Sequence, residues 1–121
     1  MQTVKIKRTE LLSVLEENRE KHLKDHAELL ELRLTEQRTK LEACLAWMNA
    51  HPGEHRDFQI SHPVPKSHEH DYNRAIKMVS MEIRDEVELS LMEFDQLVMD
   101  RWAWQDDFLR TKTLYGMVKH G

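Results

Sequence analysis

Glycine is almost absent from this chain of 121 residues: it occurs only as Gly53, Gly116 and Gly121. That leaves no glycine-rich loop to cradle a phosphate. Cysteine is rarer still. The single Cys44 excludes an internal disulfide and a four-cysteine metal site. It falls on an apolar helical stripe and reads as a small buried thiol. No stretch approaches the ~20 apolar residues of a membrane span, and the opening "MQTVKIKRTELL" lacks the apolar run of a signal peptide. An intracellular, cytoplasmic protein with no membrane partner is therefore expected. Charge of one sign is missing too. Residues 1–50 carry nine Lys/Arg and nine Asp/Glu, residues 51–89 five against eight, and residues 90–121 four against five. No region is basic enough to track a phosphate backbone, so nucleic acid is not an expected partner.

Proline is confined. Pro52, Pro63 and Pro65, with Gly53, all lie between residues 52 and 65, while 2–51 and 66–115 contain neither proline nor glycine. These two residues are the strongest breakers of regular structure, so two regular blocks are joined by one irregular segment. The expected fold is mainly α with a minor two- or three-stranded β element. A short strand and long helix (1–50) would be followed by an irregular linker with an edge strand (51–67) and a compact helical head (68–115), all as one structural domain.

In the first block "TVKIKR" alternates apolar and basic residues, which suits a strand near Thr3–Lys7. Thr9 is placed to cap a helix running from Glu10 to about Asn49, where "NAHPG" stops it. Roughly 40 residues at 1.5 Å each span about 60 Å. A compact domain of this chain length has a radius of gyration of about 13–14 Å, so a straight helix would need a second surface to bury against. The sequence offers one. Leu23, Ala27, Leu30, Leu34, Gln37, Leu41, Cys44 and Met48 follow the alternating four-and-three spacing of a heptad seam, with Gln37 its one polar member. Self-association through this seam is expected, giving a homo-oligomer. Leu11, Leu12 and Leu15 are out of phase with it, so a different face packs there.

The middle segment contains "FQISHPV", an edge-strand pattern that could pair with "TVKIK". Ser67 would cap a helix over 68–84, with Tyr72, Ala75, Ile76, Val79 and Ile83 on one stripe. "EVEL", residues 86–89, would be a short extended link. Ser90 and Glu93 have capping-box spacing, with Leu89 and Phe94 at the spacing of a hydrophobic staple, so a helix starts there. It either runs to about Thr113 or breaks near Asp100–Arg101, and Gly116 follows it. Of eight Phe, Trp and Tyr residues, four (Phe94, Trp102, Trp104, Phe108) fall within fifteen positions, and Trp47 is a candidate for the same cluster. Their neighbours include Asp95, Asp100, Asp106 and Asp107, which disfavours base stacking. The expected head core is Tyr72, Ile76, Val79, Ile83, Phe94, Leu97, Val98, Trp102, Trp104 and Phe108.

Eight histidines raise the question of metal. His22 and His26 have the i,i+4 spacing that lets two imidazoles reach one ion, but no HExxH-type glutamate lies between them. Solvated surface histidines are the simpler reading, and no cofactor or metal is expected. His51/His55 and His68/His70 would need the fold to bring them together. No nucleophile motif stands out, so the expected protein is not an enzyme.

The segment "SHEHDYNRAIKMVSMEIRDEVELSLMEFDQLVMDRWAWQDDF" resembles one in small accessory, early-type proteins of tailed bacteriophages. These carry a D-Y-x-x-A-I-x-M pattern followed by D-x-W-x-W, here Asp71, Tyr72, Ala75, Ile76 and Met78, then Asp100, Trp102 and Trp104. The resemblance implies a phage product acting in the cytoplasm of the infected cell. With the helical seam it suggests an interaction protein that binds a host protein during takeover or defence evasion. A structural component of the particle and a small metal-dependent enzyme are the alternatives.

Overall fold

The computed structural model describes residues 2–58, 64–106 and 108–109. In chain order the elements are β1 (Thr3–Lys7), α1 (Arg8–Ala50), α2 (Glu69–Ser80), β2 (Glu86–Ser90), a single turn α3 (Leu91–Glu93) and a π-helical stretch, Phe94–Val98. Residues 103–106 and 108–109 are helical again. The fold is mainly α with one two-stranded antiparallel sheet among the described residues.

Compact packing divides the chain into two units, Met1–Asp25 with Lys66–Gly121, and His26–Pro65. This differs from the expected single domain with its linker at 51–67: the chain passes between the units inside α1, after Asp25, and again after Pro65. The cause is long-range pairing. β1 faces β2 in the register Val4↔Leu89, Lys5↔Glu88, Ile6↔Val87, which ties the first residues to the C-terminal block. The strand partner expected from the sequence was "FQISHPV", most of which lies outside the described residues.

In the first unit β1 runs straight into α1. The helix therefore begins at Arg8, not at a Thr9 cap, and the Arg8 amide donates to the Asp85 carbonyl at 2.7 Å. Leu11 and Leu15 on α1 are buried with Tyr72 and Val79 of α2, Leu89 of β2, Leu97, Trp102, Trp104 and Phe108. Each such side chain contributes about 1.5–3 kcal/mol by leaving water. Ile76, Phe94 and Val98 are half-buried.

Ile83 departs from the expected core: it is 93% exposed. The reason is that α2 stops at Ser80, before the expected residue 84. Glu82 accepts hydrogen bonds at one carboxylate oxygen from the Arg84 amide (3.2 Å) and from Arg84 Nε (3.0 Å), a local arrangement that competes with helix. β1 then claims residues 86–90 as a strand. The N-cap of α2 is His68 rather than Ser67, and its side chain makes no capping bond. At β2's end the capping box forms as its spacing requires: Ser90 Oγ accepts from the Glu93 amide at 3.1 Å, and Glu93 Oε1 accepts from the Ser90 amide at 3.1 Å.

In the second unit α1 ends at Ala50 and Gly53 turns the chain with a left-handed φ of 83°. Beyond this turn the chain meets the helix again. Phe58 meets the Trp47 ring edge-on, with ring centres 5.9 Å apart, and the Pro65 carbonyl accepts from His26 Nε2 at 2.8 Å. Trp47 also stacks on His51 at 4.4 Å, and the Arg56 guanidinium lies 5.8 Å from the Trp47 ring and 5.2 Å from the Phe58 ring. These ring contacts of Trp47 all come from its own unit.

Candidate functional site

The most elaborate polar structure in the first unit is built around Asp100. The π-helical stretch closes with the Met99 amide on the Phe94 carbonyl (3.0 Å) and the Arg101 amide on the Asp95 carbonyl (3.1 Å). Between them Asp100 takes a left-handed φ of 52°, the only such non-glycine residue among those described. That conformation costs a residue with a Cβ roughly 1–2 kcal/mol, least for Asn and Asp. Asn18 on α1 secures the break. Its Nδ2 donates to the Leu97 carbonyl at 2.9 Å and the Val98 carbonyl at 2.8 Å, groups that a helix end leaves without intrahelical partners.

The left-handed turn directs the Asp100 carboxylate inward, where its side chain is only 3% exposed. The Tyr72 hydroxyl donates a hydrogen bond to Asp100 Oδ1, and the same hydroxyl oxygen accepts from Trp102 Nε1 at 3.0 Å. Gln105 Nε2 donates to Oδ2 at 3.0 Å, while its Oε1 accepts from the Trp102 amide at 3.0 Å. Lys21 Nζ reaches within 3.9 Å of Oδ2 from a largely exposed side chain.

His22 completes the cluster and is fully buried. Its Nε2 accepts from the His68 amide at 2.8 Å. An amide can only donate, so Nε2 carries no proton, and the neutral ring holds its hydrogen on Nδ1. Nδ1 lies 3.5 Å from Asp100 Oδ1, too long for a good hydrogen bond, so it presents the positive end of a dipole to the carboxylate. Around the imidazole stand Trp104, Tyr72, His68 and Trp102, with ring centres 5.1–6.0 Å away. His68 in turn stacks on Trp102 at 3.7 Å and its Nδ1 meets Asp71 at 2.9 Å.

The environment drives the two ionisable oxygens apart. Burial pushes the Asp100 carboxyl up, yet the His22, Tyr72 and Gln105 contacts outweigh burial and hold it below the usual carboxylate range. Tyr72 is pushed far above the ordinary phenol range, first by burial and then by its bond to the Asp100 carboxylate. A neutral phenol and an ionised carboxylate result. Both are enclosed, so the network fixes a chain reversal and seats the tryptophans.

The sequence therefore misplaced His22, which is a buried network member and not a surface histidine. A signal existed. Leu11, Leu15, Asn18, His22 and Leu29 share one helical phase, about 120° round the helix from the heptad seam. Leu11, Leu15, His22 and Leu29 are all buried. The candidate metal pair is not brought to one site: His22 bonds to His68 in the first unit, and His26 bonds to Pro65 in the second. Among the described residues no group of three His, Cys, Asp or Glu is placed to hold a metal ion.

The second unit carries a different feature. Leu30, Leu34, Leu41 and Met48 of the seam are exposed, and Leu45 joins them, with Leu34 51% and Leu45 58% open. At about 100° per residue these five side chains fall within roughly 60° of one another on the helix. Ala27 is also exposed, whereas Leu23 and Cys44 are half-buried.

The class defined by this fold is a mainly α protein with one small antiparallel sheet. No family model matches the chain, and neither a curated protein nor a solved structure matches it. No described helix is long and apolar enough to cross a membrane.

Proposed function

We propose that this is a non-enzymatic interaction protein that self-associates through α1. The observation carrying the reading is the exposed aliphatic row Leu30, Leu34, Leu41, Leu45 and Met48. A row at heptad spacing is self-complementary, since two such helices can interdigitate their knobs and holes along the whole stripe. Five half-open aliphatic side chains in line on one helix also exceed the scattered single leucines of an ordinary surface. The enclosed Asp100 network supports the non-enzymatic part of the reading, because its Tyr72, His22 and Asp100 side chains are closed to a substrate. In this reading the first unit carries the surface for a partner. The resemblance to phage accessory proteins makes a host protein the natural candidate.

Light scattering with sizing tests this directly. The full chain should run as an oligomer, and Leu34→Asp should reduce it to a monomer at micromolar concentration with helical CD retained. A wild-type chain that is monomeric at the same concentration would refute the reading.

A further inference from the structure

The first unit contains a groove of about 390 Å³ between α2 and β2, floored in part by Leu11 and Leu15. Its helical wall is Ala75, Met78 and Val79, the i, i+3, i+4 face of α2, with Glu82 just beyond the helix's end. Its other wall is the four successive residues Glu86 to Leu89. Side chains alternate along a strand, so a groove lying on one face of the sheet would meet every second residue. Meeting four in succession means that the groove follows the strand's edge.

We propose that this edge of β2 docks an extended segment of a partner protein, added as a third strand with basic and aliphatic residues in alternation. Among the described residues the backbone geometry leaves the place open. The Arg8 amide bonds to the Asp85 carbonyl in the same register that sets Lys7 opposite Glu86. Bonded pairs alternate in an antiparallel ladder, so Ile6↔Val87 and Val4↔Leu89 are bonded, and the amides and carbonyls of Glu86 and Glu88 turn to the outer edge. No backbone group among the described residues pairs with them there. An edge unpaired among the described residues, beside a groove floored by leucines and lined by glutamates, is the geometry of strand addition.

β1 shows which chemistry β2 accepts. Lys7 and Lys5 stand opposite Glu86 and Glu88, and Ile6 and Val4 stand opposite Val87 and Leu89. Lys5 Nζ lies 3.8 Å from Glu88 Oε1. A strand on the outer edge meets the same two glutamates, with Glu82 and Glu93 also lining the groove. Arg84, the one cation among the described lining residues, is engaged by Glu82 at 3.0 Å. Charge thus selects Lys or Arg at alternate positions, and the floor selects Val, Ile or Leu between them. The α1 seam plays no part in this site, so a monomeric Leu34→Asp chain should bind as well as wild type.

The probe is the capped peptide Thr-Val-Lys-Ile-Lys-Arg, with a counterpart carrying Glu in place of both Lys, titrated into isotope-labelled full-length protein. Amide shifts and new exchange protection should map to Glu86–Leu89 and to the α2 wall, and the basic peptide should bind about tenfold more tightly. Glu88→Pro removes an outward-facing amide that the β1 ladder does not use, so the fold should persist while binding is lost. Met78→Trp, which obstructs the groove from a 63% exposed wall position, should do the same without touching the sheet. Shifts elsewhere, equal binding of the acidic peptide, or undiminished binding by both folded variants would overturn the proposal. So would edge shifts produced by unlabelled full-length protein but by neither peptide, which would assign the edge to a second copy.

Discussion

Tyr72→Phe is the sharpest test of the Asp100 network, because it removes one oxygen and leaves the ring volume in place. That oxygen donates to a buried carboxylate and accepts from Trp102 Nε1. Losing a hydrogen bond to a charged group costs about 1.5–3 kcal/mol, and stranding a buried donor about 1–3 kcal/mol. The two losses share an atom and do not simply add. We expect the first unit to lose roughly 2–4 kcal/mol, with no cavity contribution. Urea unfolding followed by tryptophan fluorescence and near-UV CD reads this directly. With a slope of about 1–2 kcal/mol/M, the midpoint should fall by about 1–4 M at unchanged slope. A loss below about 0.5 kcal/mol would show that the hydroxyl contributes no more than an exposed phenol, and the account of why the chain reverses at Asp100 would fail.

Two further outcomes follow from the same cluster. Trp104→Ala should destabilise the first unit by about 3–5 kcal/mol in the same urea assay, since the ring is 7% exposed and borders His22 and Phe108. Acid should act through Asp100. Its carboxyl lies below the unfolded value, so its stabilisation is fully present above about pH 3.9 and is lost as pH falls through the folded value. Asp100→Asn, which keeps the shape and the tolerance for left-handed backbone, should lower stability at neutral pH. The gap from wild type should narrow below about pH 4, and a constant gap down to pH 2 would contradict the assignment.

Much of the local structure was legible from residue patterns. β1, the long helix with its stop at Pro52 and Gly53, and the Ser90–Glu93 capping box depend on neighbours within a few positions, and each forms where its signal lies. What failed depended on distant partners. The Thr9 cap was not needed because Asp85 satisfies the start of α1. Ile83 left the core because Arg84 and β1 end α2 early. His22 looked like surface because charged residues surround it in sequence, although its helical phase matches Leu11, Leu15 and Leu29. The choice left open at the end of the second block fell to the break near Asp100–Arg101, where the π-helical stretch and Asp100 re-aim the chain between Phe94 and Trp102.

By itself, the sequence determined the periodicities: a long helix with two apolar faces, a breaker-rich joint and an amphipathic second block. These are short-range choices, set by backbone propensity and by which side chains share a face. Tertiary structure decided which face is covered, which strand β1 meets, and that Asp100 lies inside with Tyr72 and His22. Those outcomes turn on contacts between residues 28 to 87 positions apart, such as Asp100 with Tyr72 and Thr3 with Ser90. Burial there is a property of the assembled packing, and no window along the chain contains it.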